Sequence, residues 1–229
     1  MPGRPLWLVI HVFLFVYWLG ADLGVYYASK FVLRKEFSNE TRMTVEKIVE
    51  AIDLSPRVCL VLILPSGVSL MATQPHHVSW LNWQLALVTW AFSFFWLYLV
   101  VTGYRSHGKI EWMRKLDLYI RYALIVTLIG TGLYALFARE PFGVTSNPKW
   151  LAGKIIVYGI AIAGGVGIRR TLVPFAAAFN SVMQKGSTPE SEAELSRSMA
   201  KALPYVHLIW TCVAIAAILG IVKPGMRTQ

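Results

Sequence analysis

Six stretches of mostly apolar residues constrain this chain more than any motif in it. They run over residues 6–28, 58–73, 83–102, 118–138, 151–168 and 205–222. A helix that crosses a bilayer needs about 20 such residues, because ~30 Å of hydrocarbon must be covered at about 1.5 Å per residue. Of the 229 residues, 56% are hydrophobic and only 15% are charged, whereas a soluble domain is about a quarter charged. The sequence therefore predicts an all-α, polytopic membrane helix bundle: one integral domain with six transmembrane helices. A soluble enzyme, a disordered chain and a nucleic-acid-binding module are disfavoured. The first stretch carries Asp22 and lacks a small-x-small cleavage site, so it reads as a span rather than a leader.

The net charge of +10 has a topological explanation. Fifteen of the lysines and arginines fall in three connections, residues 29–57, 105–115 and 169–201. Five fall on the other side: Arg4, Arg139, Lys149, Lys223 and Arg227. The positive-inside rule then places the three basic connections in the cytoplasm and both termini outside. Integral residence in a bacterial inner membrane is the expected location. No nucleic-acid partner is needed to explain the charge.

Two cytoplasmic segments look structured. Val45, Ile48, Val49 and Ile52 at helical spacing predict an amphipathic surface helix over about 40–53, capped by Ser38 or Asn39. Asn39-Glu40-Thr41 matches a glycosylation acceptor but falls on the cytoplasmic side. Thr188-Pro189-Glu190 reads as a helix start, and Pro204 is expected to separate that helix from the last span. Leu172, Phe175, Phe179, Val182 and Met183 suggest an apolar face on an extension of the fifth span.

A weak internal echo suggests two helical hairpins. Trp80-Leu81 followed by Gln84, and Trp150-Leu151 followed by Lys154, each put a polar residue four positions after a tryptophan. Within one helix that spacing places the pair on one face.

Polar groups at membrane depth are default functional candidates, because burying them is unfavourable. His11, Phe15, Trp18 and Asp22 fall on one stripe, since eleven residues advance a helix by ~16 Å but only ~20° around its axis. Gly20 and Gly24 form a small-xxx-small pair. His11, His76, His77 and Lys154 all fall near the outer surface, where they are either ligands or interfacial anchors. Toward the cytoplasm, Asp22, Arg121 and His207 form a second polar set. Arg121 is expected to neutralise Asp22 or to snorkel, and His207 to relay protons or bind a second ligand. Cys59 and Cys212 lie in apolar runs and do not suggest a disulfide. The glycines of the fifth span (159, 164, 165 and 167) provide either tight helix packing or room beside a flat ligand. No CxxC, HExxH, phosphate-loop or CxxCH pattern is present.

The stretch Arg114–Phe175 resembles the CopD-like membrane domain of copper resistance. The resemblance is carried by Leu116 to Tyr122, Thr131-Gly132, a proline-containing loop, Trp150-Leu151 leading to Lys154, and Arg169-Arg170-x-Leu172-x-Pro174. The first span, with His11, Trp18 and Gly20, is similar to that of HemJ-type protoporphyrinogen oxidases. That resemblance implies a b-type haem, with His11 and Lys154 at the ligand positions. The chain departs from both groups in its six spans and in lacking outer methionine and histidine clusters.

Three functions follow as expectations. The first is a haem b redox protein, with His11 as one axial ligand, Lys154, His76 or His77 as the other, and Trp18, Trp80 and Trp150 as walls. In that reading Asp22 and His207, with Arg121 nearby, couple electron and proton movement. The second is a copper-handling transport or resistance protein, in which His76, His77 and Met71 capture the ion and Asp22, His207 and Cys212 mark its route. The third is a structural subunit whose partners are the lipid bilayer and either a second copy or another membrane protein.

Overall fold

In the computed structural model, which describes residues 3–74, 79–144 and 148–224, the apolar stretches all become helix. The elements are α1 (Arg4–Val32), α2 (Asn39–Ala72), α3 (Trp83–Arg105), α4 (Glu111–Phe137), α5 (Lys149–Thr171), α6 (Val173–Lys185) and α7 (Pro189–Val222), with a single 3-10 turn at Pro141–Gly143. The described residues contain no strand. Capping explains where several helices start. Ser38 Oγ accepts from the Thr41 N–H at 3.2 Å, and Asn82 Oδ1 accepts from the Leu85 N–H at 2.9 Å. Thr188 and Ser191 form a reciprocal capping box with Pro189 in the first turn.

Five helical runs are long and apolar enough to cross a membrane: α1, α3, α4, α5 continuing into α6, and α7. Most of their apolar residues do not face a protein core. Only 6% of the most apolar window of α1 and 17% of those of α4 and α7 are buried. Residues 58–73 differ: they occupy the second half of α2, where Leu60, Val61, Val68 and Met71 are enclosed. α2 packs between α1 and α3, and α5 packs between α4 and α7. The α2–α3 and α4–α5 hairpins thus fall in different halves. The halves share an apolar core in which Trp18, Val61, Trp96, Ile162 and Cys212 meet.

Two expected breaks are absent. The surface helix over 40–53 and the span over 58–73 are one continuous helix of 34 residues that runs through Pro56 and Pro65. α7 likewise runs unbroken through Pro204. A proline removes one N–H from the ladder, and a helix tolerates this when nearby carbonyls find other donors. Two carbonyls near Pro65 take side-chain donors: the Tyr158 hydroxyl donates to that of Leu60 at 2.7 Å, and Ser66 Oγ donates to that of Ile63 at 3.0 Å.

At the opposite end from the chain termini, α6 folds back at Leu172. Its Ala178, Phe179 and Val182 pack with Val32 and Leu195, as the apolar face in the sequence suggested. Arg42 is not a solvated charge there. Its guanidinium is buried, donates to the Val32 carbonyl at 2.8 Å, and grips Glu192 of α7 in a fork at 2.7 and 3.1 Å.

Candidate functional site

A cavity of about 370 Å³ lies between α1 and α7, floored by α2 and α5. Its walls are largely apolar, from Phe15 and Trp18 of α1 to Ile63 and Val68 of α2 and Val213 of α7. His11 and Lys154, which are 143 positions apart, both line it. Each is placed by a helix face already legible as apolar: His11 by the stripe through Phe15 and Trp18, Lys154 by the face through Trp150 and Tyr158.

The tautomer of His11 follows from its partners. His11 Nδ1 lies 2.9 Å from Ser66 Oγ. The one hydroxyl hydrogen of Ser66 goes to the Ile63 carbonyl. Ser66 Oγ therefore accepts, Nδ1 carries the proton and donates it, and Nε2 keeps its lone pair for a ligand. The close approach needs Gly67: a Cβ there would sit 3.1 Å from the His11 Cε1. Lys154 makes no hydrogen bond or ion pair among the described residues. Its Nζ rests against Gly220 of α7, where a Cβ would come within 2.8 Å. Ser66, Gly67 and Gly220 were not singled out by sequence reasoning. Ser66 and Gly67 sit at α-helical positions beside Pro65, where a carbonyl in need of a donor was the available signal.

The other candidates divide. Trp18 and Trp150 line the cavity. Trp80 does not: it packs against Phe142 (centroids 5.6 Å apart) beyond the cavity's outer end. It also precedes α3, so Trp80 and Gln84 do not share a helix face, unlike Trp150 and Lys154. His76 and His77 lie outside the described residues. Met71 lines the cavity.

The second polar set is not one cluster. Asp22 lies beyond Trp18, with Asp53 and Arg57 of α2 as its charged neighbours, and those two form an ion pair. Arg121 pairs with Asp117 at 3.2 Å, not with Asp22, and it is buried rather than snorkelling. Asp117 also accepts from Arg169 at 2.6 Å and from the Trp96 indole at 2.7 Å. Three donors, Arg121 among them, thus converge on one carboxylate. Asp117 went unnoticed because it precedes the apolar run of the fourth span. His207 points away from both sets: it is exposed on α7 against the Tyr26 and Trp210 rings.

The fifth-span glycines serve packing. Gly159 admits Ile129 of α4, and Gly164 admits Ile209 of α7. None of them lines the cavity. Of the α1 pair, Gly24 meets Ile52 while Gly20 meets nothing. Both cysteines are buried and free. Among the described residues no group of three or more His, Cys, Asp or Glu side chains is placed to hold a metal ion.

Comparison with known proteins adds no assignment. No protein-family model, no curated protein and no solved structure matches the chain. The fold and site define an all-helical bundle with five helices long and apolar enough to cross a membrane and an apolar cavity, open between α1 and α7, that carries a histidine and a lysine.

Proposed function

We propose that the chain is an integral membrane protein that holds haem b in this cavity and serves electron transfer or oxidase-like chemistry. Its expected setting is a bacterial inner membrane, with six spans and both termini outside. The exposed apolar faces of α1, α4 and α7 support membrane residence, since such surface needs a lipid solvent. The start of α1, the end of α7 and the cavity's polar end share one end of the bundle. The basic connections lie at the other.

One observation carries the haem reading. His11 and Lys154, brought from different halves, line the same apolar cavity, and both have a nitrogen uncommitted to protein partners. The donor set fits haem iron, which takes nitrogen axial ligands. The Ile63–Ser66–His11 hydrogen bonds fix the orientation of the imidazole, as the outer partners of ligating histidines do. Gly67 and Gly220 leave the two side chains room that a Cβ would fill. Trp18, Trp150 and Phe15 exclude water. The haem supplies one-electron chemistry, and the protein sets its potential through ligand identity and burial.

An optical spectrum of protein purified from haem-replete cells tests this. A Soret band is expected, altered in both His11→Ala and Lys154→Ala. The absence of a Soret band after haem supplementation, or its persistence unchanged in both variants, would refute the reading.

A further inference from the structure

The haem reading uses His11 and Lys154 but leaves the outer end of the same cavity unexplained. Three donor groups from three separate parts of the chain line that end: Arg4 of α1, Trp150 of α5 and Lys223 at the end of α7. With the Gln74 amide turned so that its oxygen faces the guanidinium, that oxygen accepts from Arg4 Nε and Nη2 at 3.2 Å each. Lys223 Nζ lies 5.8 Å from the centre of the Trp150 ring. Neither cation forms an ion pair among the described residues. The Trp150 indole N–H is buried and has no hydrogen-bond acceptor. The other orphaned side chains, Ser93 and Trp210, do not line the cavity.

Among the described residues, carboxylates are missing from this end for a reason visible in the sequence. Of the acidic residues, only Glu140 lies in a segment at the outer end, and it is exposed in a loop away from the cavity lining. The half-buried Lys223 ammonium and the buried Trp150 indole N–H have no acceptor among the described residues, and with the exposed Arg4 guanidinium beside them this end is complementary to an anion. The rest of the lining is apolar, so a bare inorganic anion would leave most of the cavity unmatched. The cavity also opens sideways. Leu8 and Val12 of α1 and Ile221 of α7 both line it and are exposed on the outer face, where α1 and α7 barely touch.

We propose that the outer end of the cavity binds the carboxylate of a membrane amphiphile, held by Arg4, Lys223 and the Trp150 indole N–H. Its apolar body lies in the cavity and arrives from the lipid between α1 and α7. Charge-assisted hydrogen bonds from a guanidinium and an ammonium recognise the head group, and burial of the tail supplies the rest. A fatty carboxylate and the carboxylate edge of a larger flat amphiphile present the same chemistry. The site stands whether or not the cavity carries haem.

The test uses the full chain in nanodiscs of zwitterionic lipid. A brominated fatty carboxylate and the matching brominated fatty alcohol are compared by quenching of tryptophan fluorescence. The carboxylate is expected to bind on the order of tenfold more tightly than the alcohol, the scale of one charge-assisted hydrogen bond. R4Q/K223Q is expected to lose that preference while still binding the alcohol, and the charge-preserving R4K/K223R to keep it. Equal binding of both chains by the native protein overturns the proposal. So does a preference that survives R4Q/K223Q, or displacement of the carboxylate chain by inorganic phosphate at matched concentration. If R4Q/K223Q does not fold, R4Q and K223Q are each expected to show a partial loss, and no loss in either overturns it. Haem and haem dimethyl ester form a second pair that separates the two sources of carboxylate. Failure of both to bind refutes the haem reading alone and leaves the brominated pair as the test of this site.

Discussion

Replacing Glu192 by Gln removes one charge from the most enclosed ion pair in the molecule. Arg42 and Glu192 are 1% and 3% exposed in their side chains, and their fork closes at 2.7 and 3.1 Å. Ser187 donates to the same carboxylate at 2.7 Å, and Arg42 Nε is committed to the Val32 carbonyl. The glutamine keeps the shape but leaves a buried guanidinium without its counter-charge. Breaking such a pair from one side costs about 3–5 kcal/mol. At roughly 2–4 °C per kcal/mol for a chain of this size, the melting temperature should fall by about 6–20 °C. Removing both charges in R42M/E192L should cost much less, because no charge is then left buried alone. Circular dichroism melts in one detergent provide the assay.

The same pair gives a pH dependence with a fixed sign. Glu192 lies in the first turn of α7, before Pro204, outside the membrane-crossing part of the helix. Its hydrogen bonds from Arg42, helped by Ser187, hold its carboxyl below the usual glutamate range against the opposing effect of burial. A depressed carboxylate stabilises the fold fully above its unfolded value of about 4.3. That stabilisation is lost as pH falls through the folded value. The native protein should therefore approach E192Q in melting temperature as the pH drops below about 4. An E192Q melting point within 1–2 °C of the native protein at pH 7, on the order of what 0.5 kcal/mol produces, would refute the assignment of this pair as the clasp between α2 and α7.

Two further predictions concern the cavity. Ser66→Ala removes the acceptor of the His11 Nδ1–H and should weaken haem binding by about 10- to 100-fold in an optical titration, the usual effect of losing a ligand's outer partner; native affinity in the variant would remove the relay from the argument. Gly220→Ala places a methyl 2.8 Å from the Lys154 Nζ and should change the ligand-sensitive absorption bands, whereas Gly20→Ala, which meets nothing within 4 Å, should leave them as they are.

The helices and the His11 stripe were legible because both depend on periodicity within one segment. Hydrophobic runs mark helices, and eleven residues nearly complete a whole number of turns. That His11 and Lys154 share a cavity follows from how α1, α2, α5 and α7 pack, which no local pattern encodes. Depth alone had grouped them with His76 and His77. The break expected at Pro204 did not occur, and the surface helix over 40–53 ran on through Pro56 into the next segment, because a missing N–H removes one ladder bond and does not by itself end a long helix. Trp80 illustrates the opposite case. Its spacing to Gln84 matched that of Trp150 to Lys154, but α3 starts at Trp83, so an identical pattern carried no shared face.

Pairing, rather than depth or residue type, separates the polar groups by role. At the end rich in basic residues, Asp117 takes three donors and Arg42 spends its guanidinium on Val32 and Glu192. Such saturated groups have little capacity left for a ligand, and their removal should register as lost stability. In the cavity, Lys154, the Nε2 of His11 and the Trp150 indole N–H remain uncommitted, although burial makes that state unfavourable. The one-turn spacing of Asp117 and Arg121 is written in the sequence, but not that Arg169 and Trp96 complete that cluster, nor that Lys154 meets no acceptor among the described residues. That difference is why the proposed chemistry rests on the cavity rather than on Arg121.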